Sequence, residues 1–248
     1  MYSVLLYTHL GLGDQIMCNG FVREYCGKYD RVSVFATPRT YTSVQFMYRD
    51  LSNLEIIKLD APLIPAYIEQ HRANYAEIKK IGYDALQRDP HTRFEKEFYA
   101  LAGVDFKKKW ESFHVVRDHV RERYLFERIA PKTPYAFLHE DSGRRYLIKR
   151  RMVASDLPIV EPDPMLTENI FDYCSIIENA REIHVIDSSF MFLIDCLPYE
   201  NPSQKLYVHR YARQNSDWHL PVLKKNWTIL GINTPSLWKR ILDRLAQS

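Results

Sequence analysis

The sequence predicts an α/β protein with two Rossmann-like halves, and three observations predict it. Residues 4–59 alternate strand and helix signals in the order β-α-β-α-β, the first half of a doubly wound parallel sheet. The alternation restarts after Pro131 and Pro134. Three apolar runs end in glycine, charged or hydroxyl residues, at the strand ends where open α/β sheets hold ligands.

Each element has its own signal. Val4–Thr8 is a short apolar run, as in a buried parallel strand. Asp14–Tyr25 has helical spacing, with Ile16, Met17, Phe21 and Val22 on one face and Gly27 placed to close it. Arg31–Ala36 alternates β-branched residues. Thr40–Leu51 reads as a helix and Leu54–Leu59 as a third strand. From Ile68 to Arg128 the chain reads as mostly helical. HTRFEKEFYALAGV is amphipathic and ends at Gly103, the charged and aromatic KKKWESFHV follows, and VRDHVRERYLFERI is another helix. The two prolines then punctuate the chain, which places an N-terminal domain at 1–130 and a C-terminal domain at 131–248.

In the second half, Tyr135–Glu140 and Leu157–Pro162 read as strands and ENIFDYCSIIENA as a helix. Glu182–Asp187 is a strand running straight into the helix SSFMFLIDCL. Lys205–Ala212 is a last strand, and SLWKRILDRLAQ is a terminal amphipathic helix placed to pack back on the first domain.

Composition narrows the partners. The chain has 248 residues, 46% hydrophobic and 26% charged, enough for a substantial core. A net charge of +3 is too small to argue for nucleic acid and suits an anionic ligand. The four cysteines, Cys18, Cys26, Cys174 and Cys196, form no CxxC pair and read as buried free thiols of a reducing compartment, not as a zinc site. The N-terminal run lacks a basic flank and is too short for a signal peptide or a membrane span, so the expectation is a soluble cytoplasmic protein with no transmembrane segment.

The chemistry lies in three turns. In HLGLGD, Gly11 and Gly13 let backbone come close to a ligand. Ile16 stands where a GxGxxG loop needs its third glycine, and VSVFATPR has no acidic residue for a ribose, which argues against NAD. Asp14 is then either a helix cap or a carboxylate placed to take a proton from a hydroxyl. In HEDSGRRYLIKRR, Arg144 and Arg145 follow a strand end, where they are either part of a solvated basic loop or a phosphate site, since guanidinium groups pair with phosphate oxygens. Lys149, Arg150 and Arg151 extend that positive field. In IHVIDSSFMFLIDCL, Ser188 and Ser189 open a helix whose first N–H groups either are merely capped or bind an anion.

At these residues the sequence resembles GT-B glycosyltransferases, which face two Rossmann-like domains across a cleft. HLGLGDQI is similar to the opening loop of the bacterial heptosyltransferase family, where a Gly-Asp after the first strand supplies the base of an inverting reaction. The resemblance implies that role for Asp14 and a place beside the donor phosphates for Gly13. IDSSFMFLIDCL resembles the same family's nucleotide-phosphate motif, which implies diphosphate binding at Ser188 and Ser189, next to Asp187. Ser189 stands where that family usually has Gly, and Phe192 where it usually has His. HEDSGRRY resembles the arginine-bearing loop of GT-B fucosyltransferases, which implies Arg144 or Arg145 on the donor diphosphate. With SVQFMYRDL, the set is also similar to small glycosyltransferases of large DNA viruses and of bacterial polysaccharide clusters.

What the resemblance implies is an inverting, metal-independent glycosyltransferase of polysaccharide biosynthesis. It would move a hexosyl or deoxyhexosyl group from a UDP-, GDP- or dTDP-linked donor to a hydroxyl of a glycan acceptor. No cofactor and no metal site are expected. Glu161 of EPDP is assigned to the nucleotide ribose, and Asp187, His209 and Tyr211 to the cleft, although a buried histidine on a strand is more often structural. The rival readings are a nucleotide-sugar epimerase, an NAD-dependent enzyme, and a non-catalytic nucleotide- or sugar-binding module.

Overall fold

The computed structural model describes residues 2–82, 93–153, 156–213 and 220–231. The first half runs β1 (Ser3–Tyr7), α1 (Leu12–Cys26), β2 (Arg31–Ala36), α2 (Tyr41–Met47), β3 (Leu54–Lys58), α3 (Ile64–His71) and β4 (Glu77–Lys80). Three helices follow, α4 (Phe94–Ala102), α5 (Lys108–Glu111) and α6 (His119–Ile129). The second half runs β5 (Ala136–His139), β6 (Ile159–Val160), α7 (Cys174–Asn179), β7 (Glu182–Val185), α8 (Ser189–Cys196), β8 (Lys205–His209) and β9 (Trp227–Leu230).

The strands form two parallel sheets, a four-stranded one in the order β3-β2-β1-β4 and a five-stranded one in the order β6-β5-β7-β8-β9. Parallel pairing puts all the carboxyl ends of one sheet on one edge. The central strands are apolar and buried because helices cover both faces.

Two edge strands escape a reading by apolar runs. β4, EIKK, has one apolar residue and lies inside the stretch expected to be helical; it pairs only with β1. β9, WTIL, forms the far edge of the second sheet. The strand expected at Leu157–Pro162 contracts to Ile159–Val160, between prolines that have no N–H to give to a ladder. ENIFDYCSIIENA divides into a 3-10 turn at Ile170–Tyr173 and then α7. The strand expected to reach Ala212 stops at His209 and turns into a 3-10 segment, Arg210–Arg213. The expected helix SLWKRILDRLAQ lies outside the described residues.

One apolar core runs through both halves, with Ile16, Met17 and Phe21 of α1 and Met191, Leu193 and Ile194 of α8 in a single buried cluster. Two glycines let α1 approach its neighbours. A Cβ on Gly13 would lie 2.9 Å from Phe192 of α8, and one on Gly20 would lie 2.0 Å from the Lys108 carbonyl oxygen of α5. α6 and the segment ahead of it also cross over: Arg117, just before α6, pairs with Glu122 of α6 and with Glu178 of α7, and Arg121 of α6 pairs with Asp172. A buried hub completes the join. The Asp195 carboxylate accepts hydrogen bonds from Trp110 Nε1 (2.9 Å), Trp227 Nε1 (3.1 Å) and the Lys224 and Lys225 amides, with Lys109 Nζ at 4.0 Å. The four cysteines are free thiols, and no described helix is long and apolar enough to cross a membrane.

Candidate active site

The carboxyl ends of β1 and β7 bring two helix starts together. After β1, Gln15 Nε2 donates to Thr8 Oγ1 (3.1 Å) and to the His9 carbonyl (2.8 Å), which fixes the turn leading into α1. The N-cap of α1 is Gly11, in extended conformation, and it has no side chain with which to cap. Asp14 sits in the first turn, where an acidic group suits the helix dipole. Among the described residues its carboxylate accepts no hydrogen bond, so it complements the helix start without capping it. It folds back so closely that Oδ2 lies 2.7 Å from where a Cβ on Gly11 would be. Burial first, and then the charge of Asp187, raise its pKa to about 7, against the pull of Arg213.

Across from it, Ser188 is the N-cap of α8 but makes no side-chain cap. Its Oγ lies 3.0 Å from His139 Nδ1, at the end of β5. The first-turn N–H groups of α8 are therefore not taken by a side chain. Burial lowers the His139 pKa to about 4, so the imidazole is neutral at neutral pH. Asp187 is buried and pairs with Arg210, while Arg213 Nη1 donates to its backbone carbonyl at 2.8 Å. Asp187 thereby anchors the segment after β8.

Arg144 sits in a turn closed by Asp141, whose carboxylate accepts from its amide (2.9 Å) and its Nε (2.7 Å). Burial pushes the Asp141 pKa up, but these bonds and the nearby charges of Arg144 and Arg39 hold it below the usual value.

These groups line one cavity of about 540 Å³ between the halves. The first half contributes Gly11 to Asp14, Thr37, Arg39, Thr40 and Phe94; the second contributes His139, Asp141, Arg144, Asp187 to Ser189, Phe192 and Arg213. Of the residues singled out in the sequence, Gly13, Asp14, Arg144, Asp187, Ser188 and Ser189 are in this wall.

Arg145, Glu161, His209 and Tyr211 are not, nor are Lys149, Arg150 and Arg151 of the basic run. Arg145 occupies the turn's left-handed position (φ 59°) and is exposed. Glu161 pairs with Arg150 at 2.7 Å on the outer edge of the second sheet. His209 is fully buried between His184 and Tyr211, and the Tyr211 hydroxyl is taken up by His209 and the Lys149 amide. A strand's side chains alternate in direction, and position at a strand end alone does not say which way each one goes.

Sequence reasoning missed Arg39, His139 and Arg213. Arg39 follows β2, where the sequence offers no acid for a ribose, and among the described residues it has no hydrogen-bond or ion-pair partner. His139 is the first residue of HED, at the end of the expected strand, and Arg213 lies just past the last expected strand. Among the described residues, no group of three or more His, Cys, Asp or Glu side chains is set to hold a metal ion.

The sequence matches no protein-family model and no curated protein. Solved structures do resemble the chain. The ADP-heptose LPS heptosyltransferase II of E. coli superposes with a TM-score of 0.59 at 11% identity, over 100% of this chain and 98% of that one. A glycosyl transferase family 9 protein of Veillonella parvula DSM 2008 gives 0.56 at 11% identity, over 97% and 90%. With two parallel sheets, two opposed helix starts and a cavity between them, the chain has the GT-B fold of the heptosyltransferases.

Proposed function

We propose that the chain is an inverting glycosyltransferase that moves a sugar from a nucleotide-diphosphate donor to an acceptor hydroxyl. The observation that carries this reading is Asp14. It is a carboxyl poised near neutrality and open to the same cavity as the start of α8. A general base works best with a pKa close to the operating pH. In this reading Asp14 takes the acceptor's proton as that oxygen attacks the anomeric carbon from the side opposite the departing diphosphate. Charge gathers on the diphosphate as the bond breaks. Arg144, Arg213 and the N–H groups of α8 meet it there without needing to reorganise. This cationic wall supports a reaction that does not require a metal ion.

The names of the structural neighbours support the class of reaction, and one of them adds ADP to the donors worth testing. An acceptor of glycan type belongs to the same reading, and so does a cytoplasmic location, which the four free cysteines support. The end of β2 carries Arg39 and no acid, which does not favour an NAD enzyme.

A thermal-shift screen with UDP, GDP, dTDP, ADP and CMP tests the donor class. A ligand bound only by the native state raises the melting temperature by mass action, so one diphosphate is expected to stabilise the protein. No shift with any of them, at millimolar ligand, defeats the reading. A shift without turnover across a panel of glycan acceptors turns it into a binding module.

A further inference from the structure

Two tyrosines stand behind the cationic wall. The Tyr146 ring packs on buried Leu138, Ile148 and Ile186. It also carries two guanidinium groups: Arg144 Cζ is 5.3 Å from the ring centroid and Arg213 Cζ is 5.4 Å from it. Both arginines line the cavity, yet one comes from the turn after β5 and the other from the segment after β8. Two like charges brought to one ring repel, and an aromatic face offsets part of that repulsion. Both guanidinium carbons lie within 5.4 Å of the ring centroid and both side chains line the cavity, so a ligand with two phosphates has a cation for each.

Tyr211 ties the two segments together. Its hydroxyl accepts the Lys149 N–H at 2.9 Å and lies 2.9 Å from His209 Nδ1. The chain continues through His209 Nε2 to His184 Nδ1 (2.9 Å) and from His184 Nε2 to Glu182 Oε2 (3.4 Å). An amide can only donate and a carboxylate can only accept, so every hydrogen between these ends points the same way, with both imidazoles neutral and satisfied. The end of β9 closes over the same tyrosine: a Cβ on Gly231 would lie 2.6 Å from Tyr211 Cβ.

We propose that Tyr146 and Tyr211 are positioning residues, Tyr146 holding Arg144 and Arg213 as a pair and Tyr211 pinning the segments that carry them, so that the wall selects a nucleoside diphosphate over the monophosphate. This rests on reading the cavity as a nucleotide-sugar site. One phosphate engages one guanidinium, while two phosphates engage both, so the pairing matters only for the longer ligand.

Calorimetry with the diphosphate that the wild type prefers, and with its monophosphate, separates the cases. Tyr146→Leu removes the aromatic face; its Kd for the diphosphate is expected to rise about tenfold, with the monophosphate Kd nearly unchanged. Tyr146→Phe keeps the face and is expected to restore wild-type binding of both. Tyr211→Phe keeps the ring beside Gly231 and removes the hydroxyl. It is expected to weaken diphosphate binding about fivefold, and to add little in an Arg213→Gln background. Equal loss of both ligands in Tyr146→Leu, or failure of Tyr146→Phe to restore binding, overturns the proposal. If Tyr146→Leu melts below the assay temperature, Tyr211→Phe decides: an unchanged ratio of the two affinities overturns it. A wild type that binds no nucleoside diphosphate removes the functional reading as well. Wild-type binding with unaltered variants removes only this inference.

Discussion

The Asp14 carboxylate occupies the space that a side chain on Gly11 would need: Oδ2 lies 2.7 Å from the position a Cβ on Gly11 would occupy. The glycine at the N-cap of α1 is there because the acid folds back over it. The backbone of Gly11 is ordinary (φ −63°), so its lack of a side chain matters and its conformational freedom does not. Gly11→Ala is therefore expected to leave the fold intact and to displace the carboxylate. The kcat should fall about 10-fold to 100-fold, since a 1 Å misplacement has a cost of that order. Steady-state kinetics beside a melting curve check it; unchanged kcat removes the steric link.

Asp14→Asn keeps the side-chain shape and removes the basicity. Turnover should fall by about 10²–10⁴ with donor affinity nearly unchanged. In the wild type, activity should rise with pH through the range near 7, as Asp14 loses its proton. Stability should move the other way. The folded pKa lies above the unfolded value, so the native state binds the extra proton, and stability is lost as pH rises from about 4 toward 7. The variant lacks that loss. It should melt several degrees above wild type at pH 8 and close to it near pH 4. Equal melting curves at pH 8 remove the raised pKa.

The two arginines of HEDSGRRY should separate. Arg144 lines the cavity and Arg145 does not. Arg144→Ala is expected to weaken binding of the nucleoside diphosphate by about 1.5–3 kcal/mol, the scale of a hydrogen bond to a charged group. Arg145→Ala should bind as wild type. Isothermal titration of both variants decides, and equal losses remove the distinction.

If the proposed mechanism holds, activity should persist in EDTA, because Arg144, Arg213 and the start of α8 line the cavity where the leaving group's charge would gather. Loss of turnover in the chelator, regained with Mg²⁺ or Mn²⁺, overturns that part of the mechanism.

The Asp195 hub should be sensitive to the loss of charge alone. Asp195→Asn leaves Lys109, fully buried and 4.0 Å away, without its counter-charge, and turns two acceptor oxygens into one. Breaking a buried pair in this way costs about 3–5 kcal/mol. Urea unfolding measures it, and a cost below 1 kcal/mol means that the pair behaves as a surface one.

The central strands could be read from the sequence because burial on both faces makes them continuous apolar runs, as in VLLY and IHVI. β4 and β9 could not, since an edge strand buries less and EIKK carries three charged side chains. In the site, Asp14 and the serines were legible because each sits in one turn between a strand and a helix. Arg213 and Arg39 become neighbours of that turn only through the facing of two sheets, a relation that no local window contains. His209 and Tyr211 follow the strand end that the sequence indicates but do not face the cavity: their hydrogen-bonded chain runs through the second sheet to Glu182, the structural role a buried strand histidine more often has.

The contact of Gly13 with Phe192 has a mechanical consequence. It lies in the wall of the cavity, between the two helix starts that carry Asp14 and Ser189. The Phe192 ring fills the space that a side chain at position 13 would need, and the Ser189 Cα lies 3.5 Å from the same point, so the first turns of α1 and α8 abut there with nothing between them. A larger residue at 13 would act as a wedge, driving the turn that carries Asp14 away from the turn that carries Ser189. The gauge between the two helix starts is thus one missing methyl group.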